Sequence, residues 1–157
     1  MLDQHFLENF SFHYPNMRIS RFSLKAGEKI PLHIHRNQFG LAYLLYGKCL
    51  VKTYEVEKID EEQLLLTLNA QQELSTHSYC VITPKINAHQ IHALEDSTFL
   101  DVFAPGLAEE KLSDYLDIIK SEKNGLRLTA KKMSIEDVEL PVSLLKNMDS
   151  YTKISNE

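Results

Sequence analysis

A mostly β single domain, built as an antiparallel barrel with short C-terminal helices, is the fold class this sequence predicts, and three observations predict it. Strand-like runs rich in Val, Ile, Leu, Phe and Tyr recur at short, regular spacing from residue 17 to residue 103. Turn-forming residues punctuate them at Ala26-Gly27, at Tyr46-Gly47-Lys48 and at Glu95-Asp96-Ser97. Past Pro105-Gly106 the apolar period changes to three and four, the spacing of an amphipathic helix.

Residues 1–16 mix aromatic and polar side chains without a clear period and read as a short helix or loose arm ending at Pro15. Residues 17–106 form the barrel core. Its first strand, from Met17, alternates Arg/Ser with Ile/Phe/Leu positions, as a half-buried strand does. The next carries His33 and His35. Phe39 to Tyr46 is nearly continuously apolar and turns at Gly47, so that Cys49 to Glu57 returns beside it as a hairpin partner. The charged stretch 58–63 marks a surface turn before Leu64 resumes an extended run, and residues 71–78 read as a polar connector. Tyr79 to Thr83 stops at Pro84, which cannot donate to a central ladder. His89 to Leu94 and Thr98 to Phe103 complete the set.

Residues 107–157 read as a helical extension packed on the barrel. Leu112, Tyr115, Leu116 and Ile119 share one helical face between Glu109-Glu110 and Lys120, acidic residues early and a lysine late, with Asn124-Gly125 as the stop. Ser134 to Asp137 suits a capped turn, and residues 141–151 suit a second short helix.

Bulk composition narrows the function. At 157 residues, 43% hydrophobic and 25% charged, the chain can bury a core as one domain. A net charge of -5 without any basic block argues against nucleic-acid binding. No apolar run is long enough to span a bilayer, and the first residues lack the basic start and apolar centre of a signal peptide, so a cytoplasmic location is expected, with no membrane partner. Cys49 and Cys80, both in strand interiors, read as free thiols packed as small hydrophobes.

The chemistry gathers at the histidines. His33 and His35 are two residues apart, so on a strand both rings point one way while Leu32 and Ile34 point into apolar packing on the other side. Two buried imidazoles on one face would repel when protonated and lose solvation; a shared cation removes both costs. His89 and His92 compete for the third position. They fall on opposite faces of their strand, so only one can look inward, and His89 at the strand entrance is the better fit. His5, His13 and His77 read as ordinary structural histidines.

Many metal-binding barrels place a glutamate a few residues after such a pair. Here those positions are Phe39 and Gly40, and no carboxylate occurs between Arg36 and Tyr54. A charge-neutral ligand set leaves Fe(II) with its full positive charge and with open positions for an anionic thiolate and dioxygen. Zinc would satisfy the same three nitrogens and suit hydration or hydrolysis; spacing does not choose between them.

Gly27, His33-x-His35 and Gly47 together resemble the first motif of the cupin superfamily, the double-stranded β-helix or jelly-roll barrels. Within it the sequence is similar to the thiol dioxygenases that include cysteamine dioxygenase and the plant cysteine oxidases. The likeness is carried by IPLHIH at 30–35, LLYGK at 44–48, VITP at 81–84, NAHQI at 87–91 and FLDVFAP at 99–105, in the family's order. It implies Fe(II) held by His33, His35 and His89, with Zn, Ni or Mn possible in a purified sample, and His92 outside the ligand set. It also implies oxidation of a small aminothiol or a Cys-initiated peptide by dioxygen to the sulfinic acid. By position Asp101 matches a family aspartate near the iron, where it would attract the ammonium of the substrate; its structural alternative is a carboxylate bracing a loop.

The departures are specific. The family's His-Asp-His-Pro is His33-Ile34-His35-Arg36, its Pro-Pro-Tyr is Pro105-Gly106-Leu107, and its nearby cysteine is Leu112, which rules out a cysteine–tyrosine crosslink there although Tyr115 keeps the aromatic position. Two other functions fit a barrel so altered: a non-catalytic metal-binding sensor or partner module, and a cupin enzyme using another divalent metal on a non-thiol substrate. A monomer or homodimer is expected.

Overall fold

In the computed structural model, residues 11–14, 17–35, 37–104 and 114–141 are described, and eleven strands account for most of them. In chain order these are β1 (Ser11–Tyr14), β2 (Met17–Leu24), β3 (Lys29–Ile34), β4 (Phe39–Tyr46), β5 (Lys48–Lys58), β6 (Gln63–Ser75), β7 (Tyr79–Ile82), β8 (Ala88–Ala93), β9 (Ser97–Ala104), β10 (Asp114–Glu122) and β11 (Arg127–Lys132). One five-stranded sheet runs β1-β2-β9-β4-β7, and six strands close into a barrel, β10-β11-β6-β5-β8-β3. All pairings are antiparallel. No helix among the described residues is long and apolar enough to cross a membrane.

Among the described residues, two apolar clusters form the core. The larger joins Phe22, Leu44 and Phe99 of the five-stranded sheet to Ile30, Val51, Ile91 and Tyr115 of the closed ring. Phe22 and Phe99 stack at 5.1 Å between ring centroids. The second lies on the other side of β3, where Leu32 and Ile34 meet Tyr54, Leu66, Leu116 and Leu128. Cys49 and Cys80 are free and buried, as the sequence suggests.

The expected hairpin of β4 and β5 does not form, because β4 pairs with β7 and β9 in the five-stranded sheet and β5 with β6 and β8 in the closed ring; the chain crosses from one sheet to the other at Gly47. Its φ of +103° is a left-handed conformation, and a Cβ there would lie 2.3 Å from the Ser97 hydroxyl oxygen. Residues 71–75, expected as connector, continue β6 as the partner of Lys48 to Lys52. Part of the expected arm, residues 11–14, is strand β1, paired on β2.

The larger correction concerns the C-terminal helices. Leu112 lies outside the described residues, but Tyr115, Leu116 and Ile119 stand on strand β10, and β11 follows as its hairpin partner. Helical spacing of apolar residues is also what a bulged strand shows: the β10–β11 register shifts between Ile118 and Lys120, which takes the phase off simple alternation. The tertiary pairing decides it, because Asp114 and Tyr115 bond to Ile34 and His33 of β3 and so close the ring. Asn124-Gly125 does need positive φ, at +56° and +85°, but to turn a hairpin rather than to stop a helix. Ser134 to Asp137 does form a single 3-10 turn, closed by the Asp137 amide donating to the Ser134 carbonyl. The second helix expected over 141–151 lies outside the described residues apart from Pro141, as do Arg36, Leu107 and the cysteine position at Leu112.

Candidate metal centre

His33 and His35 reach the interior by a local device that period-two reasoning does not contain. On β3, Ile30 pairs with Ile91 and His33 with His89, so three steps on β3 oppose two on β8. The extra residue is a β-bulge at Pro31-Leu32, a place where proline's missing N–H does no harm to the ladder. Because of it Ile30 and His33 share the inner side, while Leu32 and Ile34 pack in the second cluster, as the alternation predicts. The bulge also aims the ring: His33 Nδ1–H donates to the Pro31 carbonyl at 2.8 Å, which leaves Nε2 as the bare nitrogen. His35 lies just past β3, its amide donating to the Asn87 carbonyl at 2.8 Å. His89 sits on β8 between His33 of β3 and Thr53 of β5.

The three rings converge. His89 Nε2 is 2.7 Å from His33 Nε2 and 3.0 Å from His35 Nε2, and all three residues are at most 5% exposed. Burial pushes the His33 imidazole down to about 4, and it holds His35 and His89 well below the usual imidazole range, helped by the neighbouring rings. At neutral pH these are three uncharged imidazoles with their Nε2 atoms facing one another. A single N–H on His89 Nε2 can point at only one neighbour, so one contact remains lone pair against lone pair. A cation among the nitrogens resolves this, and the spacing matches the roughly 3.0 Å expected between adjacent nitrogen ligands about 2.1 Å from an ion. Among the described residues this is the cluster with donor atoms close enough to hold a metal ion, and it contains no carboxylate.

Of the two positions where the sequence lacks a glutamate, Phe39 is exposed and Gly40 is buried, with the Phe103 ring of the paired strand β9 lying over it. A Cβ on Gly40 would come within 2.1 Å of that ring. Phe103 in turn stacks on His35 at 4.2 Å and 15°. An aromatic face, and no carboxylate ligand among the described residues, lies beside the cluster. Tyr115 flanks the other side, 5.4 Å from the His33 ring, its hydroxyl pushed up to about 12 by burial.

Asp101 faces inward on β9, one inward step from Phe103, with Ser20 of β2 and Ala42 of β4 as its paired neighbours. Its Oδ1 is buried with no hydrogen-bond partner among the described residues, so bracing by backbone amides, the structural alternative, finds no support at that atom. Burial raises its carboxyl to about 7, against the opposing pull of Arg18.

Arg18 is the residue that sequence reasoning missed. The alternation along β2 breaks phase at Ser20-Arg21: Phe22 and Leu24 enter the core, and Arg18 and Ser20, of the same parity, go in with them. The guanidinium carbon of Arg18 lies 5.4 Å above the Phe103 ring. Its charge acts on His33, His35, Asp101 and Tyr115. The phase break was the available signal. His92 points the other way and lines an outer groove with Lys29, Lys52 and Gln90. His77 bonds the Tyr43 hydroxyl at 2.9 Å at the surface. The side chains of His5 and His13 lie outside the described residues.

The profile of the PCO_ADO family matches residues 11–153. Among solved structures, oxalate decarboxylase from Bacillus subtilis is 25% identical with a TM-score of 0.50, over 64% of this chain and 24% of that one. KdgF from Halomonas sp. is 24% identical with a TM-score of 0.47, covering 61% of this chain and 76% of that one. The Cnp3 cupin domain of Schizosaccharomyces pombe is 14% identical with a TM-score of 0.48, over 62% of this chain and 64% of that one. No curated protein sequence matches the chain.

Proposed function

Because the chain belongs to the PCO_ADO family of plant cysteine oxidases and cysteamine dioxygenases, we propose that it is an Fe(II)-dependent thiol dioxygenase acting on a small aminothiol or an N-terminal cysteine. The observation that carries this reading is the convergence of His33, His35 and His89 with no acidic ligand beside them among the described residues. Neutral ligands leave a divalent ion its full charge, which favours capture of an anionic thiolate. Held by His33, His35 and His89, iron(II) would supply the redox chemistry that joins a thiol sulfur to dioxygen. The reaction balances without a further reductant: RSH + O2 gives RSO2H, with sulfur oxidised by four electrons, the O–O bond broken and two S–O bonds formed.

The protein's own side chains position and enclose. Pro31 fixes the tautomer of His33, and Phe103 holds the plane of His35. Phe103 and Tyr115 present aromatic surface that excludes water from the reacting sulfur. Asp101, inward on the same strand as Phe103, receives the substrate ammonium. Two unpaired buried thiols fit a reducing, cytoplasmic setting.

The test is anaerobic loading with Fe(II), followed by oxygenated incubation with cysteine, cysteamine and Cys-initiated peptides. We expect one dioxygen consumed per thiol and both oxygen atoms in the product by mass. Absence of a two-oxygen product from every thiol overturns the reading. Metal analysis of protein purified without added metal separates it from a cupin enzyme that uses Zn, Ni or Mn.

A further inference from the structure

The face of β8 turned away from the three imidazoles carries a groove that the metal centre does not use. Lys29, Pro31, Leu50, Lys52, Gln90 and His92 line it, and its volume is about 230 Å³. Strand register sets these side chains on a small grid. Lys29 of β3, His92 of β8 and Leu50 of β5 stand abreast in one row, and Pro31 in the bulge, Gln90 and Lys52 form the next. The two cations therefore occupy one diagonal and the two apolar side chains the other, with an imidazole and an amide down the middle. Strand spacing puts the two lysine Cα atoms roughly 12 Å apart, so that two long side chains leaning over β8 from opposite walls can hold one small ligand. One step further along the same face, Tyr54 and Ala88 belong to the apolar cluster shared by all six strands of the ring, and the groove ends there against packed core.

The two lysines of the groove also lack the partner that other lysines have. Lys25, Lys48, Lys85, Lys120, Lys131 and Lys132 each have a carboxylate oxygen within 4.0 Å, whereas Lys29 and Lys52 have none among the described residues. The adjacent acids are engaged elsewhere. Glu28 accepts from the Lys25 amide at 2.7 Å, and Glu73, opposite Leu50, holds Lys48 at 2.8 Å. No carboxylate lines the groove among the described residues, in a chain whose net charge is -5.

We propose that this groove binds a small aliphatic dicarboxylate, one carboxylate on Lys29 and the other on Lys52, with its carbon chain against Pro31 and Leu50. Lysine offers a compact point charge rather than a planar fork, so two separated lysines suit two separated anionic ends. The Gln90 amide and the His92 imidazole donate to the same carboxylate oxygens, and such charge-assisted bonds strengthen where apolar walls exclude water. The volume falls below the roughly 300–1,000 Å³ of pockets that take drug-sized ligands, which limits the chain to a few carbons. A monocarboxylate leaves one ammonium unmatched, and a compact dianion forgoes the apolar contact. The assignment is independent of the dioxygenase reading, because the groove and the imidazoles lie on opposite faces of β8.

Titration of the purified full chain with glutarate, pentanoate and inorganic phosphate tests it, followed by calorimetry and by shifts of backbone amide resonances. The expected result is one saturable glutarate site, at least about tenfold tighter than that for pentanoate or phosphate and weakened by added salt. Lys29→Gln and Lys52→Gln should each bring glutarate down to the affinity of pentanoate. Lys58→Gln, which removes an equal charge from an exposed lysine at the end of β5, should leave it unchanged. Phosphate bound as tightly as glutarate means a compact-anion site and overturns the dicarboxylate assignment. Pentanoate bound as tightly overturns it too, since one cation then does the binding. So does the absence of saturable glutarate binding, an equal loss in Lys58→Gln, or an affinity that survives both groove substitutions, as chelation at the metal centre would give.

Discussion

His89 and His92 stand three residues apart on the same strand, yet they occupy opposite environments. His89 is 2% exposed, held neutral by burial and within 3.0 Å of two other imidazole nitrogens. His92 is half-buried on the outer side, in a groove of about 230 Å³ with Lys29, Lys52 and Gln90. An odd separation on a strand puts two identical side chains on opposite faces, and the face decides whether the ring meets a partner nitrogen or solvent. Strand parity, rather than residue type, decides which of the two histidines joins the cluster of imidazoles.

The sharpest way to break this comparison is to remove one ring at a time. His89→Ala should lower metal affinity more than about 100-fold, since a ligand is lost outright, whereas His92→Ala should retain most of the metal. Metal content after gel filtration reads both; equal loss in the two variants would mean that the parity assignment is wrong.

Asp101 offers a second contrast on the inner side, a buried acid near buried bases. Its carboxyl is raised from 3.8 to about 7, so the folded state binds its proton more tightly than the unfolded chain does. Its contribution is fully present below pH 4 and is lost as pH rises through about 7. In the metal-free protein Asp101→Asn should therefore stabilise progressively from pH 5 to pH 8, by at most about 4 kcal/mol. Urea unfolding at several pH values measures this. A gain of constant size at every pH would show that the carboxyl does not titrate in that window.

Gly40→Ala tests the packing of the aromatic face over this position. Its Cβ would lie 2.1 Å from the Phe103 ring, and the overpacking should cost about 1–3 kcal/mol. Phe103→Leu in the same chain should recover part of it, whereas an additive double mutant would place the strain elsewhere. The smallest expected signal is protonic. His33 titrates at about 4, with His35 and His89 also far down, so all three are deprotonated at pH 7 before metal arrives. Metal binding there should release close to no protons from the imidazoles, and calorimetry in buffers of different ionisation enthalpy should give nearly the same heat.

Several of these features were legible in the sequence because they are local. The same-face placement of His33 and His35, the packing of Leu32 and Ile34 behind them and the turn at Gly47 follow from alternation and from a required positive φ, whereas the expected pairing of β4 with β5 across that turn gave way to a crossover between sheets. The β10–β11 hairpin was not legible as strands. Its apolar spacing suits a helix as well, and only pairing with β3 and β6 selects the extended form. Arg18 was hidden for a related reason. Its strand reads as a polar and an apolar position in alternation, and the phase break at Ser20-Arg21 gains meaning only when β9 supplies Phe103 and Asp101 opposite it.

The amino-acid order alone determined which residue types were available at which parity: two imidazoles on one face, one of a later pair beside them, and no acid within reach along the chain. Folding decided the distances. A bulge at Pro31-Leu32 put His33 on the inner side and aimed its ring, and pairing of strands remote in sequence set Phe103 over Gly40 and Arg18 near Asp101. The division has one physical cause. Side-chain parity is a property of a single strand's backbone, whereas convergence depends on register between strands, which forms only as the sheets pack.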